Sequence, residues 1–563
     1  MSTVGIRALD FAAHAAVYWW LVIGSLLLFT VVWAAPFLSR RKPWMPALRS
    51  DRTFVATAAL VLLATRWPTL FGRDPYIDEA QMIAQAITAA HHPIPWRSFD
   101  GTTSGPLNTY ALLLSQLVGL GVSVVGARVV ALVFAFVTIA ALFLAVRAVF
   151  GSWIARIAIV APLLVFGLAS IADLVCYGSE TLPVMLLTIP LAIAARIATS
   201  SIAPRGWTIG AGLCCGAVPF AKLQGTPLAC AVAATCLLAL LGGPRDLKRA
   251  VRDAAWFAGG IVAIPGIILT LVLVSGAFAD FAISYIGQAL ASMAGDSVTL
   301  QTAMGFPEYR SYFPAAAAAL ILSFTAWLLL KPPADLDDVE RDRLRVGSTL
   351  VALGLVLVSW YTIEAPHRPY AHYFAFAIVP LTLLVVTFAG TVRARLAQRH
   401  RVAIDAALGA FILLTGIPLL AFAAHDRDRY LADVPNGIGN APDAVAREIA
   451  RVDTGGGRVA IWGYAPYLYV KSHTMMGTRD SVSQFQILPG PYQGYYRRRF
   501  LSDMENIRPA LFVDACAPGQ FNFTSRSLGF ESFPALAAYV NEHYTPVVEV
   551  NGVRIYRRHD VRS

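Results

Sequence analysis

The hydrophobic pattern is dominated by apolar runs of about 20 residues, each long enough to cross a bilayer as a helix, recurring from residue 18 to residue 424. They occupy 18–38, 53–71, 106–122, 127–149, 154–171, 182–197, 207–220, 226–241, 254–275, 312–330, 346–361, 372–389 and 402–424. A soluble domain of this length would alternate apolar with polar positions far more. The pattern predicts a polytopic α-helical membrane protein. The first run is read as a span: acidic and basic residues precede it without the basic start of a signal peptide, and Ala-Ala-Pro-Phe near its end is a poor cleavage site.

Basic clusters at 40–52, 147–156, 196–205, 245–252, 331–345 and 393–401 punctuate the runs. The positive-inside rule places all of them in the cytoplasm and the intervening loops outside. This alternation fails at one place, because a crossing at 106–122 would put the 147–156 cluster outside. That segment starts with Ser-Gly-Pro and carries Asn108, Gln116 and several glycines, so it is expected to lie along the outer interface as a juxtamembrane helix. Residues 72–126 then form one large external loop, and the chain makes roughly 12 crossings with both ends outside.

Beyond residue 424 the pattern changes. RVAIWGY and PALFVDA read as strands, FPALAAYVNEHY as a helix, and VVEV and RIYRR as a hairpin joined through Asn551-Gly552. The expected organisation is a transmembrane domain over 1–424 and an external α/β domain over 425–563. Composition agrees, at 57% hydrophobic and 14% charged. The net charge of +11 does not indicate nucleic acid, since most basic residues sit in short loops where they set orientation. Cys214, Cys215, Cys230 and Cys236 fall in predicted spans without metal-ligand spacing, leaving Cys176 and Cys516 as candidates for one oxidised pair.

The longest polar interruption in the first half, RDPYIDEAQMIAQAITAAHHPIPWRSFDGTTSGPL, holds acids, histidines, Trp96 and arginines between apolar segments and reads as the lip of an active site. Asp78 and Glu79 open a helix whose Ala80, Ile83, Ala84 and Ile87 share one face. Two roles fit them. Asp78 with Gln81 makes a capping box, Ile77 and Met82 a hydrophobic staple, and Glu79 suits the helix dipole. A carboxylate beside the membrane can also cap its helix while taking a proton from an attacking hydroxyl.

The other outward loops supply Asp173 and Glu180, Lys222 and Gln224, Glu308 and Arg310, and then Glu364, His367, Arg368, His372 and Tyr373. All lie at outer ends of spans, where ionisable groups are costly unless they face water or one another. Convergence on one cleft follows; for any single residue, snorkelling or a local ion pair is the competing account. Lys222, with few basic neighbours, suits a phosphate. His91, His92, His367 and His372 show no ligand spacing, so a divalent metal is possible but not favoured, and His367, Arg368 and His372 read better as donors to an anion. Tyr495-Tyr496 suggest domain core; Arg497, Arg498 and Arg499 suggest either lipid headgroup contacts or a solvated helix face.

This arrangement resembles the GT-C membrane glycosyltransferases, especially bacterial relatives of protein O-mannosyltransferases and of the transferases that put aminoarabinose on lipid A. The resemblance covers nearly the whole chain: YIDEAQMIAQA and SGPLNTYALLLSQLVG in the first external loop, Glu180 in YGSETLP, Lys222 in GAVPFAKLQG, the HRPYAHYFAFAIVPL stretch, and VAIWGYAPYLYV in the tail. It implies a GT-C fold and a sugar donor carried on a polyprenyl phosphate. Asp78 would be the general base, and a one-step attack would invert the anomeric carbon. Lys222, Arg368 and His372 would stabilise the leaving phosphate, with Glu79 and Glu180 positioning hydroxyls; Asp173, His367, Tyr373 and Trp96 complete the expected substrate-binding set. The acceptor would be an envelope glycan, glycolipid or protein at the outer face of a bacterial inner membrane. Two departures stand out. Gly105-Pro106 replaces the Lys-Pro that ends this motif in the aminoarabinose transferases, and the run at 18–38 precedes the usual first span.

A flippase for lipid-linked sugars is the competing class. It would place ionisable positions near mid-membrane in paired halves, whereas here they cluster at outer ends without a repeat. A scaffold protein would leave the polar loop without a purpose.

Overall fold

Helices α1 (Ala15–Leu38), α2 (Asp51–Leu70), α3 (Ile77–Ala89), α4 (Val124–Ala158), α5 (Thr181–Ala198), α6 (Arg205–Ala221), α7 (Thr226–Gly242), α8 (Leu247–Val274), α9 (Pro307–Leu329), α10 (Val339–Glu364), α11 (Ala375–Arg395) and α12 (Arg401–His425) follow the apolar runs. The computed structural model describes residues 15–38, 46–70, 75–200, 202–242, 246–293, 300–330, 339–368, 370–425, 444–453 and 457–559. The basic clusters at 40–52 and 331–345 therefore lie partly outside the described residues, as do both chain ends.

Among the described residues, 10 helices are long and apolar enough to cross a membrane, namely all of these except α3 and α6. The chain is a multi-pass membrane protein. Two further crossings account for the expected total of roughly 12. The first is α6, at 17 residues. The second hides in α4, which is interrupted at Gly151 (φ 82, ψ 173). Before this break Arg147 pairs with Asp51 at the start of α2, and Ala131 accepts from Arg66 near the end of α2. After it, Ser152 donates to Asp51, whereas Gly167 lies against Thr65. The chain thus runs antiparallel to α2, reverses at Gly151, and returns alongside it through residues 152–158 and the helix Val160–Leu168. Only glycine adopts this φ without strain. The segment at 106–122 holds two short helices, Pro106–Leu112 and Leu114–Leu117, neither of which can cross.

Two compact units divide the chain. The first takes Met1–Thr69, Ala131–Gly266 and Met293–Leu431, with a continuous apolar core including Phe54, Leu142, Leu163, Phe376 and Phe411. Within it, α6 and α8 meet backbone to backbone. A Cβ on Gly212 would lie 2.2 Å from the Phe257 carbonyl oxygen, one on Gly216 2.1 Å from that of Ile261, and one on Gly260 2.5 Å from that of Ile209. Small residues four apart allow this approach, as is usual where lipid leaves no hydrophobic drive between helices.

The second unit takes Leu70–Val130, Ile267–Ser292 and Ala432–Ser563, so the C-terminal region folds together with the residues of the first external loop. Its sheet runs β2-β1-β3-β5-β4. Strand β1 (Arg458–Trp462) pairs in parallel with β2 (Met475–Met476) and β3 (Leu511–Asp514). Strands β4 (Tyr544–Val550) and β5 (Val553–Arg558) form the expected hairpin, which docks antiparallel on β3. Asn551 (φ 50) and Gly552 (φ 79) make its turn in the left-handed region, as an Asn-Gly hairpin requires. Helices α13 (Gln493–Ile507) and α14 (Pro534–His543) cover the sheet through Phe500, Met504, Leu536 and Val540. Helix α3 joins this body: Thr88 accepts from the Met476 N–H at 3.0 Å, and Gln85 donates to Ser481 at 3.4 Å.

A buried ionic cluster ties the same unit together. Arg499 bridges Asp100 (2.7 Å) and Asp480, while Arg479 bridges Asp280 (2.7 Å) and Asp503 (2.6 Å). Arg499 is therefore neither lipid-facing nor part of a solvated face; it is 5% exposed. Burial raises the Asp480 carboxyl to about 7, with Arg499 opposing the rise and Asp100 and Asp503 adding to it. The six cysteines are all thiols, so Cys176 and Cys516 form no disulfide.

Candidate functional site

In the transmembrane unit, the ends of several helices bring charged side chains to one place. Glu180 is the N-cap residue of α5, Lys222 the C-cap residue of α6, and His372 and Tyr373 lie in the turn of 3-10 helix before α11. The Lys222 ammonium pairs with the Glu180 carboxylate and donates to Ser179 Oγ at 2.5 Å. It also sits 5.0 Å above the Tyr373 ring. His372 contacts two acids, with Nδ1 3.3 Å from Asp173 and Nε2 3.7 Å from Glu180. Ser179 donates to the other Glu180 oxygen at 3.1 Å. Five expected site residues, Asp173, Glu180, Lys222, His372 and Tyr373, thus form one connected group.

Burial makes this group electrostatically tight, since Lys222 is 5% and Glu180 2% exposed. Burial alone would raise the Glu180 carboxyl, but Lys222 and His372 outweigh it and hold the group below the ordinary carboxylate range. The lysine read as a solitary phosphate binder is therefore one half of a buried pair. Glu308, fully buried in the first turn of α9, accepts from the Ile171 N–H at 2.9 Å and the Ser170 hydroxyl at 3.0 Å, fixing the turn that leads to Asp173.

His367 and Arg368 belong to the loop between α10 and α11. His367 has φ 47, and its N–H donates to the Glu364 carbonyl at 2.9 Å. Arg368 is half-buried, and among the described residues its guanidinium makes no ion pair. Its charge remains available to an anion.

Asp78 and Glu79 lie in the other unit, on the first turn of α3. The N-cap lies two residues earlier than the expected Asp78: it is Tyr76, whose N–H donates to Glu79 at 3.3 Å. Glu79, rather than Asp78, is thus the acid of the capping arrangement. It is also paired with Arg128, whose Nη2 lies 3.0 Å from Oε2, with both side chains buried. Asp78 is half-exposed and accepts from Gln81 at 3.0 Å; Gln81 in turn donates to the Tyr464 hydroxyl at 2.8 Å. Gln81 thus orients the Asp78 carboxylate, which is half-exposed. Trp96, 2% exposed, packs against Phe281 (4.9 Å) and Tyr285 (5.4 Å), which puts its ring in the core of this unit.

Sequence reasoning did not single out Ser179 or Arg128. Ser179 had a local signal, standing next to Glu180 in YGSE. Arg128 had a weaker one, an arginine at the head of a long apolar run.

No protein-family model matches the sequence, and no curated protein matches it. Solved structures do resemble the fold. ArnT from Cupriavidus metallidurans, bound to undecaprenyl phosphate, superposes with a TM-score of 0.54 at 14% identity over 90% of this chain and 98% of that one. Its apo state gives 0.53 at 14% identity over the same shares. The arabinofuranosyltransferase AftD from Mycobacteria reaches 0.48 at 16% identity, covering 90% of this chain and 40% of that one. The nearly complete mutual coverage with ArnT, together with the helix order and the C-terminal sheet, identifies the fold of this chain as GT-C.

Proposed function

We propose that the protein is an inverting membrane glycosyltransferase that moves a sugar from a polyprenyl-phosphate donor to a hydroxyl of an envelope glycan, glycolipid or protein. The observation that carries this reading is the buried group of Lys222, Glu180, His372 and Asp173 at the ends of membrane helices, with Arg368, which makes no ion pair among the described residues, in the loop preceding His372. Ionised groups are expensive at such positions and are characteristic of sites that handle charged substrates. ArnT, whose fold is shared, was solved with undecaprenyl phosphate, which supports a polyprenyl phosphate as the lipid.

The chemistry requires a base and an anion stabiliser. Asp78 accepts the proton of the acceptor hydroxyl as its oxygen bonds to the anomeric carbon from the face opposite the phosphate. The bond from that carbon to the phosphate oxygen breaks, and the lipid phosphate leaves with the electron pair. Arg368 is best suited to balance the departing charge, because among the described residues it carries no carboxylate of its own. Lys222 and His372 contribute through hydrogen bonds while remaining paired with Glu180 and Asp173. The reaction so written has no step that calls for a metal. The resemblance to bacterial transferases favours a bacterial inner-membrane location, and charge parity favours the periplasmic side for the site and the C-terminal domain.

The test is transfer of radiolabelled sugar from a panel of polyprenyl-phosphate sugars into membrane fractions, comparing wild type with Asp78→Asn at matched expression, with and without a chelator. Transfer by wild type alone, surviving chelation, is the expected result. Equal inactivity of both proteins across the panel, with lipid-linked sugar still crossing reconstituted vesicles, would replace this reading by the flippase.

A further inference from the structure

A chamber of the transmembrane unit, about 1230 Å³, lies away from the candidate site. It is lined by the end of α4 before Gly151, the C-terminal halves of α5, α7 and α11, and the N-terminal half of α10. Glu180 caps one end of α5 and Arg196 lies near the other, about 24 Å away at the helical rise of 1.5 Å per residue. The chamber therefore opens toward the face that carries the basic loops.

Its lining is graded. Arg196, Arg343 and Arg345 stand at the mouth and, among the described residues, make no ion pair. The nearby acid Asp342 is engaged bidentately by Arg395 at 2.8 and 2.6 Å. Arg147, also at the mouth, is paired with Asp51, Arg341 also lines the chamber, and Glu340 is the one carboxylate among the described lining residues. Deeper along α10, about 15 Å from Arg345 to Leu355, the wall becomes apolar, and Leu191 and Leu383 continue it. Leu238 and Leu350 line the chamber yet are 65% and 63% exposed, so it opens sideways where a helix surface meets lipid.

We infer that this chamber binds one anionic phospholipid from the leaflet on the basic-loop side, its headgroup phosphate held by Arg196, Arg343 and Arg345 and its acyl chains inside the apolar wall. Charge complementarity selects the headgroup, since cations at a membrane surface attract anionic lipid additively. The sideways opening selects a lipid over a soluble phosphate. The chamber is larger than the usual pocket for a drug-sized ligand, as a chain-bearing occupant needs. This inference stands independently of the proposed transferase activity.

The test is native mass spectrometry of the full-length protein in mild detergent, titrated with phosphatidylglycerol, phosphatidylcholine and undecaprenyl phosphate. Wild type is expected to retain one phosphatidylglycerol in roughly tenfold or greater preference over phosphatidylcholine. Arg196→Gln/Arg343→Gln/Arg345→Gln is expected to abolish the preference. Ala239→Trp, which fills the chamber while leaving the arginines in place, is expected to abolish retention; it also serves if the triple variant does not fold. Equal retention of the two phospholipids by wild type, or preference retained in both variants, would overturn the inference. Displacement of phosphatidylglycerol by equimolar undecaprenyl phosphate would overturn the assignment of the occupant.

Discussion

Replacing Lys222 by Met removes the ammonium from a carboxylate that is 2% exposed and keeps the aliphatic stem in place. Breaking a buried ion pair from one side costs about 3–5 kcal/mol, because the remaining charge is desolvated without compensation. Here compensation is partial: His372 Nε2 is 3.7 Å from the same oxygen, and Ser179 donates to the other at 3.1 Å. The expected loss is therefore near the lower end, about 3 kcal/mol. Removing both charges in Lys222→Met/Glu180→Gln restores most of it, giving a coupling of about 2–3 kcal/mol in the double-mutant cycle. The effect also has a pH signature. In wild type Glu180 lies below its ordinary value of 4.5, so its contribution is complete above that pH and is lost as pH falls through the lowered value. In Lys222→Met the burial that pushes Glu180 upward loses its main opponent, so the folded value is expected to rise. The penalty is then expected to be smaller at mildly acid than at neutral pH. Unfolding of the two single variants and the double in detergent at both pH values measures all of this. A double variant as unstable as Lys222→Met, or a penalty independent of pH, would refute the argument.

Glu79→Gln keeps an acceptor for the Tyr76 N–H but removes a charge from the buried Arg128 pair; thermal unfolding should show a loss of about 3 kcal/mol with unchanged helix content by circular dichroism. Asp480, raised from 3.8 to about 7, binds its proton more tightly in the folded than in the unfolded chain, so it makes stability fall as pH rises between those values. Asp480→Asn should flatten that slope in a pH series of unfolding midpoints. Gly552→Ala places a Cβ at φ 79 and 3.1 Å from the Ala517 Cβ, and should cost about 1 kcal/mol or more; hydrogen exchange of the β4–β5 hairpin reports the loss.

The membrane fold was legible because its signals are local. Each span is a continuous apolar run, and charge at the intervening loops fixed the parity that excluded a crossing at 106–122. The Asn551-Gly552 hairpin was equally local, since two consecutive left-handed residues have few other sequences. Lys222 and Glu180 could each be placed at the end of a span, yet their pairing could not, because 42 residues separate them. Arg128 illustrates the same limit, 49 residues from Glu79. The N-cap of α3 was misplaced by two residues because Asp78 and Glu79 are both acceptable near a helix N-terminus, and only the Arg128 partner distinguishes them. Arg499 looked solvated because a triple arginine usually is; Asp100 and Asp480, distant in sequence, reversed that expectation.

The glycine contact between α6 and α8 bears on how Lys222 can move. With main chain pressed against main chain at Gly212, Gly216 and Gly260, no side chain stands between the helices to act as a bearing. Sliding one past the other would drive carbonyl oxygens into Cα atoms, so the packing at these glycines resists relative sliding of the two helices. Lys222 terminates α6, and its reach is then set by the four rotatable bonds of its own side chain rather than by helix motion. Repositioning of the ammonium beside Glu180 and Ser179 is then a rotamer event on a fixed platform, fast beside any rearrangement of the helices.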